Sequence, residues 1–263
     1  GYTGIAGDND LSGTILNPAS LIQSNQFEIY GEYNFKSNAD YFNSFGYQSE
    51  NSHSEIEELN PIMLAGISYK VNKDMEMAAL YENNNGFRIK SLVTNEKGVF
   101  TGEYFYQNVS ISSVLLPVVY TGLKSFRFGI NLRYSFYSYK TEPDDFFYIK
   151  ESFGKFIPDF GVIYKPLNNL TFGATFTPQT SENVEGENKD TSFYYTDPNY
   201  FPMKLGLGVS YSILKTSLTL SLDYTYMNSS SADNQRLSDR NDFNFGIEYG
   251  INKNNLCLKL SIS

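Results

Sequence analysis

The chain has no tryptophan, one cysteine and one histidine among its 263 residues. A single cysteine, Cys257, cannot close an internal disulfide, and in an alternating apolar segment it reads as a packed, inert thiol. The single histidine, His53, removes most enzymatic readings, because membrane hydrolases and acyltransferases need a base of that kind. It stands between Ser52 and Ser54 in an acidic stretch, as a solvated loop residue does. No catalytic residue is expected, and the chain is not expected to be an enzyme. Clusters of His, Cys and carboxylate at metal-ligand spacing are missing too. Asp144-Asp145 and Glu55, Glu57 and Glu58 read as loop charges, so no metal and no cofactor is expected.

Positive charge is in short supply: 20 Lys and Arg stand against 29 Asp and Glu, a net charge of −9. An acidic chain does not suit a nucleic-acid partner, whose phosphates need a basic surface. No run approaches the roughly 20 apolar residues of a membrane-spanning helix. No signal peptide is visible at Gly1, which leads us to expect either a processed N-terminus or a missing precursor segment.

What the chain does have is aromatic side chains in alternation. Phe and Tyr make up 16% of it, 21 and 22 residues respectively. Both favour strands, and both populate the interfacial girdles of membrane barrels. Ser125 to Tyr139 reads SFRFGINLRYSFYSY. Phe126, Phe128, Ile130, Leu132, Tyr134 and Phe136 fall on one face; Arg127, Gly129, Asn131, Arg133, Ser135 and Tyr137 fall on the other. Successive strand residues face opposite sides of a sheet, so this is a strand with one apolar and one polar face. It exceeds the 9–11 residues that a membrane-spanning strand needs. Mean hydropathy is only −0.36, as expected when apolar and polar faces average out.

The same pattern recurs over residues 27–35, 61–71, 74–82, 87–94, 99–106, 108–121, 158–164, 170–177, 203–211, 218–226, 243–251 and 256–262. Short turns are expected at 72–73, 83–86, 95–98, 122–124, 166–169 and 252–255. The break between 106 and 108 is weak, and the flanking segments also read as one bent strand, with Pro117 marking a bulge or a strand end. Long polar loops are expected at 36–60, 140–157, 178–201 and 227–241. With residue 27 at the periplasmic side, the long loops all fall on the extracellular side. The count is roughly thirteen, one short of the even number usual for bacterial barrels.

Residues 7–21, GDNDLSGTILNPASL, stand just before the first strand. They resemble the Asn-Pro-Ala segment of the FadL/TodX-type outer-membrane transporters, with Asn17, Pro18 and Ala19 as the matching residues and Asp10 upstream. PDFGVIYKPLNNLTFGATF (158–176), FPMKLGLGVSY (201–211), LTLSLDYTY (218–226) and FNFGIEYGINKNNLCLKLSI (243–262) resemble later strands of that superfamily. They also resemble its PorV-like branch, associated with type IX secretion. The resemblance implies an all-β fold: a transmembrane antiparallel barrel of about fourteen strands with an N-terminal hatch. Residues 1–26 would be the hatch, with Asp10, Asn17, Pro18 and Ala19 as gating candidates, and residues 27–263 the barrel. The chain ends in LKLSIS without the terminal aromatic residue of a complete barrel, so the last strand or strands are expected beyond Ser263. It also departs from the fatty-acid transporters in having no tryptophan.

On this reading Glu28, Glu32, Arg88, Lys90, Arg127, Arg133, Lys204, Asp223 and Glu248 face the lumen, where they brace the wall or form a polar constriction. The resemblance implies passage of a hydrophobic small molecule across the outer membrane of a Gram-negative bacterium. The alternative it leaves open is a PorV-like barrel that does not transport, and serves as a scaffold for other outer-membrane proteins. A soluble β-sandwich would need shorter strands and a charged outer face.

Overall fold

The computed structural model describes residues 4–7, 11–21, 26–33, 39–42, 53–58, 62–94, 100–142, 149–188, 193–213, 218–228, 239–251 and 256–262. Two short 3-10 turns, Ser12–Ile15 and Pro18–Ser20, precede the strands. The strands are β1 (Phe27–Tyr33), β2 (Ala39–Phe42), β3 (His53–Glu58), β4 (Ile62–Lys70), β5 (Met75–Thr94), β6 (Phe100–Leu123), β7 (Phe126–Glu142) and β8 (Ile149–Leu167). They continue as β9 (Leu170–Thr177), β10 (Thr180–Asn188), β11 (Phe193–Phe201), β12 (Met203–Ile213), β13 (Leu218–Asn228), β14 (Arg240–Ile251) and β15 (Leu256–Ile262). All belong to one antiparallel sheet with the path β1-β4-β5-β6-β7-β8-β9-β12-β13-β14-β15. Two hairpins lie off this path: β2–β3 joins β5, and β10–β11 joins β8.

Several sequence expectations change here. The turn expected at 83–86 is a bulge inside β5, where the register to β6 shifts between Asn83 and Asn85. Asn and Gly tolerate the backbone of a bulge as readily as that of a turn, so composition alone did not separate the two. Residues 99–106 and 108–121 fall within the single strand β6, which carries Pro117 in register with Asn131. These two mergers take thirteen segments to the eleven strands on the path. The expected loops 36–60 and 178–201 hold the two hairpins, and β7 and β8 extend well into the expected loop 140–157.

The two faces of the sheet differ in chemistry. In β7, Phe126, Phe128, Ile130, Leu132 and Phe136 are exposed on the outer face, while Asn131 and Ser135 are buried on the inner. The neighbours repeat the outer pattern: Val114, Leu116, Val118 and Tyr120 in β6, Phe156, Phe160 and Tyr164 in β8, Phe172 and Phe176 in β9. Leu205, Leu207 and Tyr211 in β12 and Phe243, Phe245, Ile247 and Tyr249 in β14 continue it. Rings pack along this face, as in the Phe126–Tyr164 stack with centroids 4.4 Å apart. From Phe126 to Phe136 the apolar band runs ten residues along the strand. At about 3.4 Å per residue and a tilt near 40°, it stands about 26 Å tall. Tyr69, Tyr120, Tyr164, Tyr211 and Tyr249 edge the band near the short turns, and Tyr134, Phe136 and Phe156 edge it at the other end.

A segment seated against the inner face

Residues 4–7 and 11–21 lie against the inner face. Asp223 of β13 is buried, and one of its carboxylate oxygens accepts from the backbone N–H of Gly4 (2.6 Å) and of Ile5 (3.2 Å). Asn17 caps the turn Pro18–Ser20 by accepting from the Ala19 N–H at 3.0 Å. This is the usual work of an Asn before a proline-led helical turn. The Asn17 amide then donates to the Ile5 carbonyl (2.7 Å) and to the Val162 carbonyl of β8 (3.3 Å). One side chain thus ties both parts of the segment to each other and to the wall.

The wall meets the segment with glycine. A Cβ at Gly129 would fall on the Pro18–Ala19 peptide; one at Gly161 would fall on Asn17 Oδ1, with Pro18 Cδ 2.8 Å away. A Cβ at Gly173 would fall on the Ile5 carbonyl, and one at Gly208 on Asp223 Oδ1, with Ile5 Cβ at 2.8 Å. Gly129 is in register with Gly161, and Gly173 with Gly208, which in turn faces Asp223. Glycine weakens a strand interior, but here it lets a second backbone approach closely. On the other side Leu11 and Leu21 pack into an apolar cluster with Leu64, Ala78, Leu80, Leu115 and Val119, joined by Ile15 and Tyr30. The segment therefore touches eight successive strands of the path, β4 to β9, β12 and β13. Laid flat, eight strands would be roughly 34 Å across. Ile5, bonded to Asn17, reaches β9, β12 and β13, while Leu11 and Leu21 on either side of Asn17 reach β4, β5 and β6, so the sheet curls around the segment.

Beside the segment lies a charged group. Arg133 contacts Asp159 at 3.0 Å and Glu82 at 3.2 Å, bridging β7, β8 and β5. Asp159 also accepts from Asn131 at 3.0 Å and from Thr177 at 2.7 Å. Lys204 is exposed on the inner face within electrostatic range of Arg133, Asp159 and Glu82. Nearer the short turns, the buried Glu76 lies 3.8 Å from Lys70 and within electrostatic range of Arg127. Charges held this way brace neighbouring strands against one another.

Of the sequence candidates, Arg127, Arg133, Lys204 and Asp223 lie on the inner face as just described. Glu28 and Glu32 flank Tyr30, which packs against the apolar cluster from that same face. Glu248 alternates with the exposed Ile247 and Tyr249. Asn17, Pro18 and Ala19 are the buried turn of the segment; Asp10 lies outside the described residues. Arg88 and Lys90 take different positions. Beyond the bulge they stand in register with Asn108 and Tyr106, in the set of β6 positions that carries Val114 and Leu116 on the outer face. One extra residue exchanges the two faces of a strand for all that follow. Sequence reading missed Ile5, Glu82, Asp159 and the glycines at 129, 161, 173 and 208. The available signal was glycine recurring at polar-face positions inside otherwise regular strands.

No protein-family model matches the chain, and no curated protein matches its sequence. Solved structures do match. TodX, a toluene transporter of Pseudomonas putida, superposes with a TM-score of 0.69 at 13% identity, covering 99% of this chain and 80% of that one. A FadL homologue of Pseudomonas aeruginosa gives a TM-score of 0.57 at 11% identity, covering 95% and 75%. The chain has a FadL/TodX-type fold. At these identities the likeness is one of fold. In this fold the Asn17-Pro18-Ala19 turn is the point where the inner segment meets the glycines of β7 and β8.

Proposed function

We propose that this chain is a β-barrel of the Gram-negative outer membrane that passes a hydrophobic small molecule, with residues 1–26 as its hatch and 27–263 as its wall. The observation that carries this reading is the division of faces around the seated segment. An apolar band about 26 Å tall matches the roughly 25 Å apolar band of outer-membrane barrels. Across the ten strands β1, β4 to β9 and β12 to β14 the band covers more than roughly 1,000 Å², against the 300–600 Å² of the largest apolar patch on a typical soluble protein. Membrane lipid is its natural solvent. The apolar cluster where Leu11 and Leu21 meet β4, β5 and β6 offers a surface that a hydrophobic solute can use when the segment moves. TodX being a toluene transporter supports a small apolar solute as the first one to try.

A second reading is a scaffold barrel that does not transport and binds other outer-membrane proteins. The ionic bridge from Glu82 through Arg133 to Asp159 favours it, because a permanently closed barrel benefits from such bracing. Uptake separates the two. The chain is expressed in a Gram-negative host lacking it, and entry of labelled toluene is followed with and without residues 1–26. Transport predicts uptake several-fold above the empty host. Uptake equal to the empty host, from protein shown to be folded in the outer membrane, removes the transport reading and leaves the scaffold.

A further inference from the structure

The short-turn end of the sheet carries a repeated pair of residues. Four residues after Tyr69 stands Lys73, and four after Tyr120 stands Lys124. The sequence repeats this step at Tyr211 and Lys215 and at Tyr249 and Lys253, whose lysines lie outside the described residues. After Tyr164 the lysine comes at once, as Lys165. The five tyrosines stand on β4, β6, β8, β12 and β14, alternate strands of the antiparallel path that run toward the same end. Charge divides along the chain in the same sense. Residues 71–74, 122–125, 165–169, 214–217 and 252–255 hold five lysines and one acid. Residues 36–60, 140–157, 178–201 and 227–241 hold 16 acids against seven lysines and arginines. A chain of net charge −9 thus keeps one strongly basic set of connections.

The tyrosines fix the height of these lysines. Tyr69, Tyr120 and Tyr164 are exposed on the outer face at the short-turn edge of the apolar band, and a tyrosine at such an edge sits at headgroup level. Four strand residues carry the chain at most about 10 Å further along the barrel axis. The headgroup zone is roughly 5–7 Å deep, and a lysine stem can reach back to bring its ammonium into it. The lysines are available. Lys73 is 88% exposed, and its 3.9 Å contact with Asp74 is a surface pair of the kind that contributes little. Lys124 and Lys165 are exposed and pair with no described carboxylate. Lys70, next to Tyr69, is turned to Glu76 instead. Backbone bonds set the turns side by side: the Thr121 N–H donates to the Asp74 carbonyl and the Lys165 N–H to the Ser125 carbonyl, both at 2.8 Å. Turns two strands apart stand roughly 10 Å apart, close to the Debye length in physiological salt, so their fields overlap.

We propose that Lys73, Lys124 and Lys165 form a binding surface for the phosphates of anionic phospholipids in the membrane leaflet at the short-turn end. The surface rests on the membrane reading above, since the height of the lysines has meaning only if the apolar band is embedded. Each tyrosine ring lies at the boundary between acyl chains and headgroups, and each lysine meets a phosphate beyond it. A cell-wall polymer or an acidic soluble protein could meet the same lysines, but neither calls for a tyrosine at a set distance from each one. The lipid contact pins β4, β6 and β8 at one level. β6 and β8 also seat the Asn17 turn from within, so strands held by lipid are the ones that hold the inner segment.

The test uses the full chain refolded in detergent and transferred to phosphatidylcholine vesicles with and without phosphatidylglycerol. Flotation with pure phosphatidylcholine vesicles checks the membrane reading separately. Lipid retained after mild detergent extraction is then measured by native mass spectrometry. Wild type is expected to retain phosphatidylglycerol over phosphatidylcholine, and less of it as salt rises. The triple variant Lys73→Gln/Lys124→Gln/Lys165→Gln should hold it about a hundredfold more weakly, the effect of three surface cations. Lys73→Arg/Lys124→Arg/Lys165→Arg should keep binding, which separates charge from fold. Equal retention of phosphatidylglycerol by wild type and the glutamine variant overturns the surface and leaves the membrane reading standing. Lysine-dependent binding to purified peptidoglycan, with no preference between the two lipids, overturns it too and gives the lysines to the cell wall. Failure to float with phosphatidylcholine alone overturns both the surface and the membrane reading.

Discussion

Replacing Asp223 with Ala removes the acceptor that holds the first described residues of the inner segment. One carboxylate oxygen takes two backbone N–H groups, at 2.6 and 3.2 Å. Hydrogen bonds to a charged partner contribute about 1.5–3 kcal/mol each. The lower end applies here, because Oδ1 of the same carboxylate is buried without a hydrogen-bond partner among the described residues. Deleting it recovers part of the cost of desolvating the group. The net loss is then about 3 kcal/mol, or roughly a hundredfold in the ratio of seated to unseated segment. Amide hydrogen exchange reads this locally. Protection at Gly4 and Ile5 should fall by about two orders of magnitude in Asp223→Ala, and by about tenfold in Asp223→Asn, which keeps a neutral acceptor. The amides of β13 paired to β12 and β14 should keep their protection. Unchanged exchange at Gly4 and Ile5 would refute the latch. Loss of protection spreading through β13 would show instead that Asp223 holds the wall.

Two further outcomes follow from the geometry. Gly161→Val should drive the Asn17 turn off the wall, since even its first added carbon would fall on Asn17 Oδ1. Limited proteolysis should then cut within residues 11–21 much faster, with the strands still resistant; an unchanged digestion pattern would remove the glycine cradle from the account. Ile130→Arg puts a charge at the middle of the apolar band and should cost about 2–4 kcal/mol of folding in vesicles, read by urea titration. A change below about 0.5 kcal/mol, the size usual at a water-exposed site, would mean that this face does not meet lipid.

The faces of β7, β12, β13 and β14 were legible residue by residue, because side-chain direction in a strand is set by its own backbone and needs no partner. That is why Arg127, Arg133, Lys204 and Asp223 could be assigned to the polar face without any tertiary information. The Asn17-Pro18-Ala19 turn was legible for a similar reason: a capping Asn before proline acts over three residues. Arg88 and Lys90 show where local reading stops. The run of asparagines at 83–85 suits a turn and a bulge equally, and only pairing with β6 distinguishes them. A turn would have started a new strand, whereas the bulge kept the strand and exchanged its faces.

The glycines at 129, 161, 173 and 208 were visible as glycines at inner-face positions, yet what they admit comes from more than a hundred residues away. Their meaning depends on where the chain's first twenty residues come to rest. Alternation of apolar and polar side chains was enough to call for an all-β sheet with one apolar and one polar face, since that periodicity follows from the backbone alone. Curvature around the segment and the Asp223 latch depend on register between strands distant in sequence. Register is chosen by how whole faces fit together, so no single stretch of the chain carries it.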